Sequence, residues 1–225
     1  MFKYILAALW SFVMIFTSSA QTDTTKTELT TSFRLQAIQA DFTDLNNSIT
    51  DQYPLINETL IGLGGELGYQ AGRLSAGITF VSYKGNEEDS QLLTKSTFSG
   101  YGTGLVLGHD FVTSSTFNIS ANLEFGIRKF KISLHDRISF SIEDILETEP
   151  NVLRFENFGE YLDLGLGLSK FFNVPYYKIG FQLALGYRWD NGKWKHKGVN
   201  SIMDEVTEMG GLFGAIQIIL VRTKT

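Results

Sequence analysis

The alternation of apolar and polar positions is strictest over Lys178–Asp190. Ile179, Phe181, Leu183, Leu185, Tyr187 and Trp189 hold one set of alternate positions; Lys178, Gly180, Gln182, Ala184, Gly186 and Arg188 hold the other. A period of two sustained over that length predicts a β-strand with two unlike faces. The second face is small and polar, where the wet face of a soluble sheet would be rich in Lys and Glu. That combination suits a strand that turns its apolar face to lipid and packs its small, polar face inside a closed barrel.

The pattern recurs along the chain. Glu58–Gln70, Arg73–Tyr83, Ser96–Phe111, Thr116–Arg128, Leu153–Phe172 and Gly210–Val221 read as further strands. Ser32–Leu45 is ambiguous: Phe33, Leu35 and Ala37 alternate, but Leu35, Ile38, Phe42 and Leu45 also recur at helical spacing. After Arg128 the alternation slips, and Phe130, Ile132 and Leu134 continue in the opposite phase. A β-bulge near Lys129 would produce such a slip. Short connections at Ala71-Gly72, Val112–Ser115 and Asn173–Pro175 alternate with long ones at Asn47–Pro54, Lys84–Leu93, His135–Val152 and Asn191–Thr207. Bacterial barrels have an even strand number with short turns at one end and long loops at the other. Counting Ser32–Leu45 as a strand gives eight. The predicted fold is all-β, a closed antiparallel up-and-down transmembrane β-barrel occupying residues 32–225.

Residues 1–20 read as a secretory signal. Lys3 is the basic start, Tyr4–Phe16 is apolar, and small residues precede an expected cut between Ala20 and Gln21. Residues 21–31 are polar and Thr-rich and are expected to be a periplasmic lead-in. The chain has no Cys, which excludes disulfides, thiolate metal sites and a lipidated N-terminal Cys. Its net charge of −5 becomes one unit more negative once Lys3 is removed, which argues against a nucleic-acid partner. Aromatic residues at 13% are sufficient for girdles at two membrane interfaces.

The best-defined polar constellation is the inner face: Glu66, Glu124, Arg128, Asp163, Gln182 and Arg188. An eight-stranded barrel is just wide enough to be filled by side chains, and buried charges must be paired. Arg128 and Arg188 are therefore expected to neutralise Glu124 and Asp163, sealing the lumen. Gly100, Gly102, Gly104 and Gly108 lie within a strand rather than before a helix, so they read as sites of close approach and not as a phosphate loop. Trp189, Lys193, Trp194, Lys195 and Lys197 form a basic, aromatic stretch in the last long connection. It is expected to lean on lipid headgroups. His109, His135 and His196 are isolated from one another and from any recognisable metal-ligand spacing.

From Phe33 to Arg222 the pattern resembles the small eight-stranded outer-membrane barrels of the OmpA/OmpX type, above all their relatives in Bacteroidetes-like bacteria. The end of the chain, Leu220-Val221-Arg222-Thr223-Lys224-Thr225, departs from the terminal aromatic such barrels commonly carry. The resemblance implies a monomeric protein of a Gram-negative outer membrane with both termini periplasmic, surrounded by outer-membrane lipid and without a cofactor. It implies a non-enzymatic role in envelope integrity or surface interaction through the loops, with any extracellular ligand or envelope partner unassigned. Three alternatives stand beside it. One is a lipid A-modifying barrel enzyme using His109 or His135 as a base, and another is a narrow pore or transport accessory. The third is a soluble lipocalin-like carrier with its apolar faces inward.

Overall fold

The structure, a computed structural model, describes residues 27–43, 46, 54–89, 94–114, 117–136, 152–196 and 210–222. They form nine strands: β1 Thr27–Gln39, β2 Thr59–Ala71, β3 Leu74–Asp89, β4 Thr94–Thr113, β5 Phe117–Asp136, β6 Val152–Val174, β7 Tyr177–Asp190, β8 Lys193–His196 and β9 Gly211–Arg222. Eight of them close into a ring in the order β5-β4-β3-β2-β1-β9-β7-β6, with β6 pairing back to β5. Every pairing is antiparallel. The ring leaves no open sheet edge along its circumference, so the strands satisfy one another's backbone groups without water. No helix among the described residues is long and apolar enough to cross a membrane.

The ninth strand is a continuation. Asp190 of β7 lies opposite Tyr161, and Lys193 of β8 lies opposite Phe158, so β8 keeps the register of β7 along β6. The interruption is Asn191-Gly192, where the Asn191 side chain substitutes for the ladder by accepting from the Glu160 N–H at 2.7 Å.

Two turns at one end are tight. Gly72 sits at φ 61° between β2 and β3, and Tyr176 at φ 69° follows Pro175 between β6 and β7. Proline followed by a residue at positive φ is the type II pattern, which normally takes Gly or Asn. A bulky residue there costs backbone energy. Tyr176 is also 67% exposed, so no packing inside the barrel offsets that cost. The described chain begins and ends at this turn end, where Leu29 and Tyr177 both lie opposite Arg222.

Four sequence expectations need correction. Ser32–Leu45 is a strand, but it starts at Thr27 and stops at Gln39. Residues 27–31 therefore belong to the barrel and not to a lead-in. Lys84–Leu93 is not a loop throughout, because β3 runs to Asp89. Asn191–Thr207 likewise contains strand, β8, from Lys193 to His196. Finally, there is no bulge at Lys129: β5 keeps continuous register with β6 from Phe117 to His135, and the irregularity in the β4–β5 pairing lies at Asp110/Val112. Phe130, Ile132 and Leu134 simply occupy the inward face, fully buried. The slip in the pattern is a change in what fills the barrel. The secretory signal falls outside the described residues.

Burial follows the alternation with its usual sense reversed. Large apolar side chains such as Leu67, Ile78, Leu105, Leu166, Leu183, Leu185 and Ile216 are exposed on the outside. Arg34, Glu124, Arg128, Asp163, Gln182 and Arg188 are buried inside.

Candidate functional site

The interior has three layers. At the turn end lies a polar cavity of about 70 Å³, lined by residues that include Ser32, Glu66, Gln70, Asp110, Asn118 and Ser120. Asp110 accepts from the side-chain amides of Gln70 and Asn118 at 3.1 and 3.0 Å. A space of that size and polarity has room for a few water molecules.

The middle layer carries the charges. Glu124 accepts from Arg34 Nη1 at 2.7 Å through one oxygen. Through the other it accepts from Thr79 Oγ1 and the Tyr161 hydroxyl, each at 2.6 Å. Arg34 Nη2 also lies 3.5 Å from Glu66. With the Gln217 amide turned so that its oxygen faces Arg34, that oxygen accepts from Nε at 2.9 Å and Nη2 at 3.1 Å, and its nitrogen donates to Gln182 at 3.2 Å. Gln182 in turn donates to Ser120 at 3.3 Å. A second assembly joins Arg188 to Asp163 by a two-pronged contact of 2.6 and 2.5 Å. The Arg188 guanidinium lies 4.2 Å above the Tyr161 ring, and Nη1 donates to the Tyr83 hydroxyl at 3.4 Å.

Local sequence makes room for this layer. Tyr161 must lie flat against β4 and β5 to reach Glu124. A Cβ on Gly104 would fall 2.8 Å from its hydroxyl, and one on Gly126 would fall 2.8 Å from its ring. The glycines are the groove in which the ring lies.

The loop-end layer is apolar. Ile38, Phe42, Leu60, Tyr83, Phe98, Phe130, Ile132, Leu134, Phe155 and Trp194 form one buried cluster. Phe42 comes from the segment after β1 and Trp194 from β8, and their rings meet at 6.3 Å. Between this cluster and the charges sits Arg128. Its guanidinium is 4.8 Å from the Phe130 ring, and Nε is 2.5 Å from Asp190 Oδ2. The approach lacks hydrogen-bond geometry, and Nη1 and Nη2 have no hydrogen-bond partner among the described residues.

Of the six inner residues read from the sequence, all face inward, and Arg188 neutralises Asp163 as expected. Arg128 does not neutralise Glu124: the two are four residues apart on β5, and Arg128 turns to Asp190 near the loop end of β7. The cation at Glu124 is Arg34, which sequence reading missed. Its signal was the polar phase Ser32, Arg34 and Gln36 between Phe33, Leu35 and Ala37, in the strand whose assignment was ambiguous.

The basic stretch also divides. Trp189, Lys193 and Lys195 face outward and are exposed. Trp194 faces inward and is buried, because β8 keeps the alternation of β7. It is a core residue and not a headgroup anchor. Lys197 lies outside the described residues. His109 sits near the turn end with its ring 5.0 Å from Phe111. His135 lies on the far part of β5. Partial burial, and then Lys95, Arg154 and Lys131, hold its pKa below the usual value, which weakens it as a base. Among the described residues no group of three or more His, Asp or Glu is placed to hold a metal ion.

No family model matches the chain, and no curated protein does. Among solved structures it is similar in outline to Neisserial surface protein A, at 12% identity over 90% of this chain and 100% of that one, with a TM-score of 0.47. A major outer membrane protein from Thermus thermophilus aligns at 10% identity over 86% of this chain and 98% of that one, TM-score 0.45. The attachment invasion locus protein Ail of Yersinia pestis aligns at 14% identity over 87% and 96%, TM-score 0.42. None of the three comes from a Bacteroidetes-like bacterium. The assignment of an eight-stranded antiparallel barrel stands on the chain's own ring of pairings.

Proposed function

We propose that the chain is an integral outer-membrane β-barrel protein of a Gram-negative envelope, non-enzymatic, with a plugged lumen and both termini periplasmic. It would contribute to envelope integrity or to surface interaction through its loop end. The observation that carries this reading is the reversal of burial: a hydrogen-bonded ring with charges inside and a continuous apolar band outside. In water that band would be an aggregation surface far larger than soluble monomers expose. In a bilayer it is the surface a barrel requires. A lipocalin-like carrier needs the opposite arrangement, with apolar side chains around an internal ligand.

The interior supports a sealed lumen over a pore. Eight strands leave little space, and here charged and apolar layers are stacked across it. Exposed Trp189, Lys193 and Lys195 are the candidates for headgroup contact, with Lys197 following in sequence.

Membrane fractionation combined with gel mobility before and after boiling tests the reading. An outer-membrane location and a mobility shift on boiling are expected. A soluble periplasmic protein with no shift would end it.

A further inference from the structure

The outer surface at the loop end is strongly asymmetric in charge. Strand register fixes which side chains lie side by side. One row crosses five strands as Ser82, Tyr101, Lys129, Phe158 and Lys193. The next row toward the loops reads Lys84, Ser99, Lys131, Glu156 and Lys195. All of these belong to the outward phase of their strands, the phase that carries Ile78, Leu105, Ile127, Leu164 and Trp189 lower down. Arg154 follows one row higher, beside Ser133. The same band holds two carboxylates. Glu156 lies 3.1 Å from Lys129, and Glu160, one row below Phe158, accepts from the Asn191 side-chain amide at 3.2 Å. On the other wall, the described outward positions at the loop ends of β9, β1 and β2 are Leu212, Ala37, Gln39, Thr59 and Ile61, none of them charged.

We infer that Lys84, Lys129, Lys131, Lys193 and Lys195 form a one-sided collar that binds the phosphate groups of anionic lipid headgroups in the surrounding leaflet. The inference rests on the membrane reading above and extends the basic stretch of β8 to a surface built by four further strands, β3 to β6. Direction decides the occupant. These side chains radiate sideways from the barrel wall, directly above the apolar band and beside exposed Tyr101, Phe158 and Trp189. A lipid whose chains lie on that band brings its headgroup to the lysines. Aromatic side chains at this level anchor the interface, and Lys reaches from it toward phosphate. After burial, which comes first, the cations Lys95, Arg154 and Lys131 also disfavour protonation of His135.

The test uses the full chain in phosphatidylcholine bilayers containing either spin-labelled phosphatidylglycerol or spin-labelled phosphatidylcholine. The motionally restricted fraction of each label gives the relative association of the anionic lipid with the barrel wall. A wild-type preference of about fivefold is expected, the equivalent of about 1 kcal/mol, falling as salt is raised. K129Q/K131Q/K193Q/K195Q should bring the preference close to one, and the corresponding four Lys→Arg changes should retain it. K170Q/K178Q, at the turn end, should leave it intact. Heparin added to phosphatidylcholine bilayers supplies the soluble-anion arm. Insertion without any lipid preference, an unchanged preference in the four-fold Gln variant, or Lys-dependent heparin binding with no lipid preference would each overturn the collar. Failure to insert at all would instead overturn the membrane reading beneath it.

Discussion

Arg34 and Glu124 meet at 2.7 Å although their strands stand on opposite sides of the ring. From β1 to β5 there are four steps in either direction around the barrel. The ion pair is therefore a diameter. A second diameter runs from Tyr83 on β3 to Arg188 on β7, at 3.4 Å and a quarter-turn away. Two crossing links of this kind leave no straight path along the axis, and they tie walls that share no backbone hydrogen bonds. Arg34→Ala should destabilise the barrel by about 3–5 kcal/mol, because Glu124 is left buried with its cation gone. Arg34→Leu combined with Glu124→Leu should recover most of that loss. Urea unfolding of the refolded protein, followed by gel mobility, measures both. Equal stability of wild type and Arg34→Ala would mean that the pair is not formed.

Trp189 and Trp194 provide a direct check on alternation through the Asn191-Gly192 break. Trp189 is exposed on the lipid-directed phase and packs on Tyr187 at 4.9 Å, while Trp194 is 3% exposed among Phe42 and its neighbours. In single-tryptophan proteins made by W10F/W194F or W10F/W189F, brominated lipid should quench Trp189 strongly and Trp194 weakly. The reverse order would place β8 one residue out of register.

Leu183 and Gln182 are adjacent and differ in face: Leu183 is 59% exposed and Gln182 is 7% exposed. Leu183→Arg should cost about 2–4 kcal/mol near the membrane midplane. Gln182→Ala should be mild, since it removes only the 3.3 Å link to Ser120 and the contact with Gln217. Folding yield into bilayers compares the two. A more damaging Gln182→Ala would exchange the inner and outer faces.

The barrel was legible in the sequence because alternation, turn residues and loop-length parity are local signals that agree with one another. What fills the barrel was less so. Glu124 and Asp163 could be placed side by side by counting from the turns, and they are register partners. Arg188 is in turn the register partner of Asp163, but the cation of Glu124 could not be placed this way, since Arg34 reaches it across a diameter that no strand count exposes. The apolar mouth was visible in Phe130, Ile132 and Leu134, but an inward apolar run looks the same as a bulge until neighbouring strands show it too. Ile38, Val81 and Phe98 make the same change of phase toward their own loop ends. Trp194 was misplaced for a related reason: composition suggested an interface anchor, and only parity with Arg188 and Asp190 shows that it points inward.

His135 offers a titration. Burial first, then Lys95, Arg154 and Lys131, depress its pKa from 6.5. A histidine depressed in the folded state binds fewer protons there than in the unfolded chain, so stability is full above the unfolded pKa and falls as pH drops through the folded value. Partial exposure keeps the effect small. Lys131→Gln should move the His135 resonance toward its ordinary midpoint in an NMR titration, and Lys170→Gln should not. An unmoved midpoint in Lys131→Gln would remove the local potential argued for the collar.

Conductance tests the layered interior as a whole. Wild-type protein in a planar bilayer should give small currents or none, because two unlike barriers lie in series. The buried loop-end cluster of Phe42, Phe98, Phe130 and Trp194 is expected to exclude water and so block ions by dewetting. Beneath it the Arg34–Glu124 and Arg188–Tyr83 links occupy the axis. Removing one barrier leaves the other. F42A/W194A should therefore loosen the mouth, read as lower thermal stability, and still fail to conduct. Adding R34S/E66Q/E124S to that variant removes one diameter together with both carboxylates that Arg34 meets, leaving no orphaned charge, and is expected to produce measurable channels. Large, stable channels from the wild type would show the interior to be open. Channels from F42A/W194A alone would show that the charged layer does not seal.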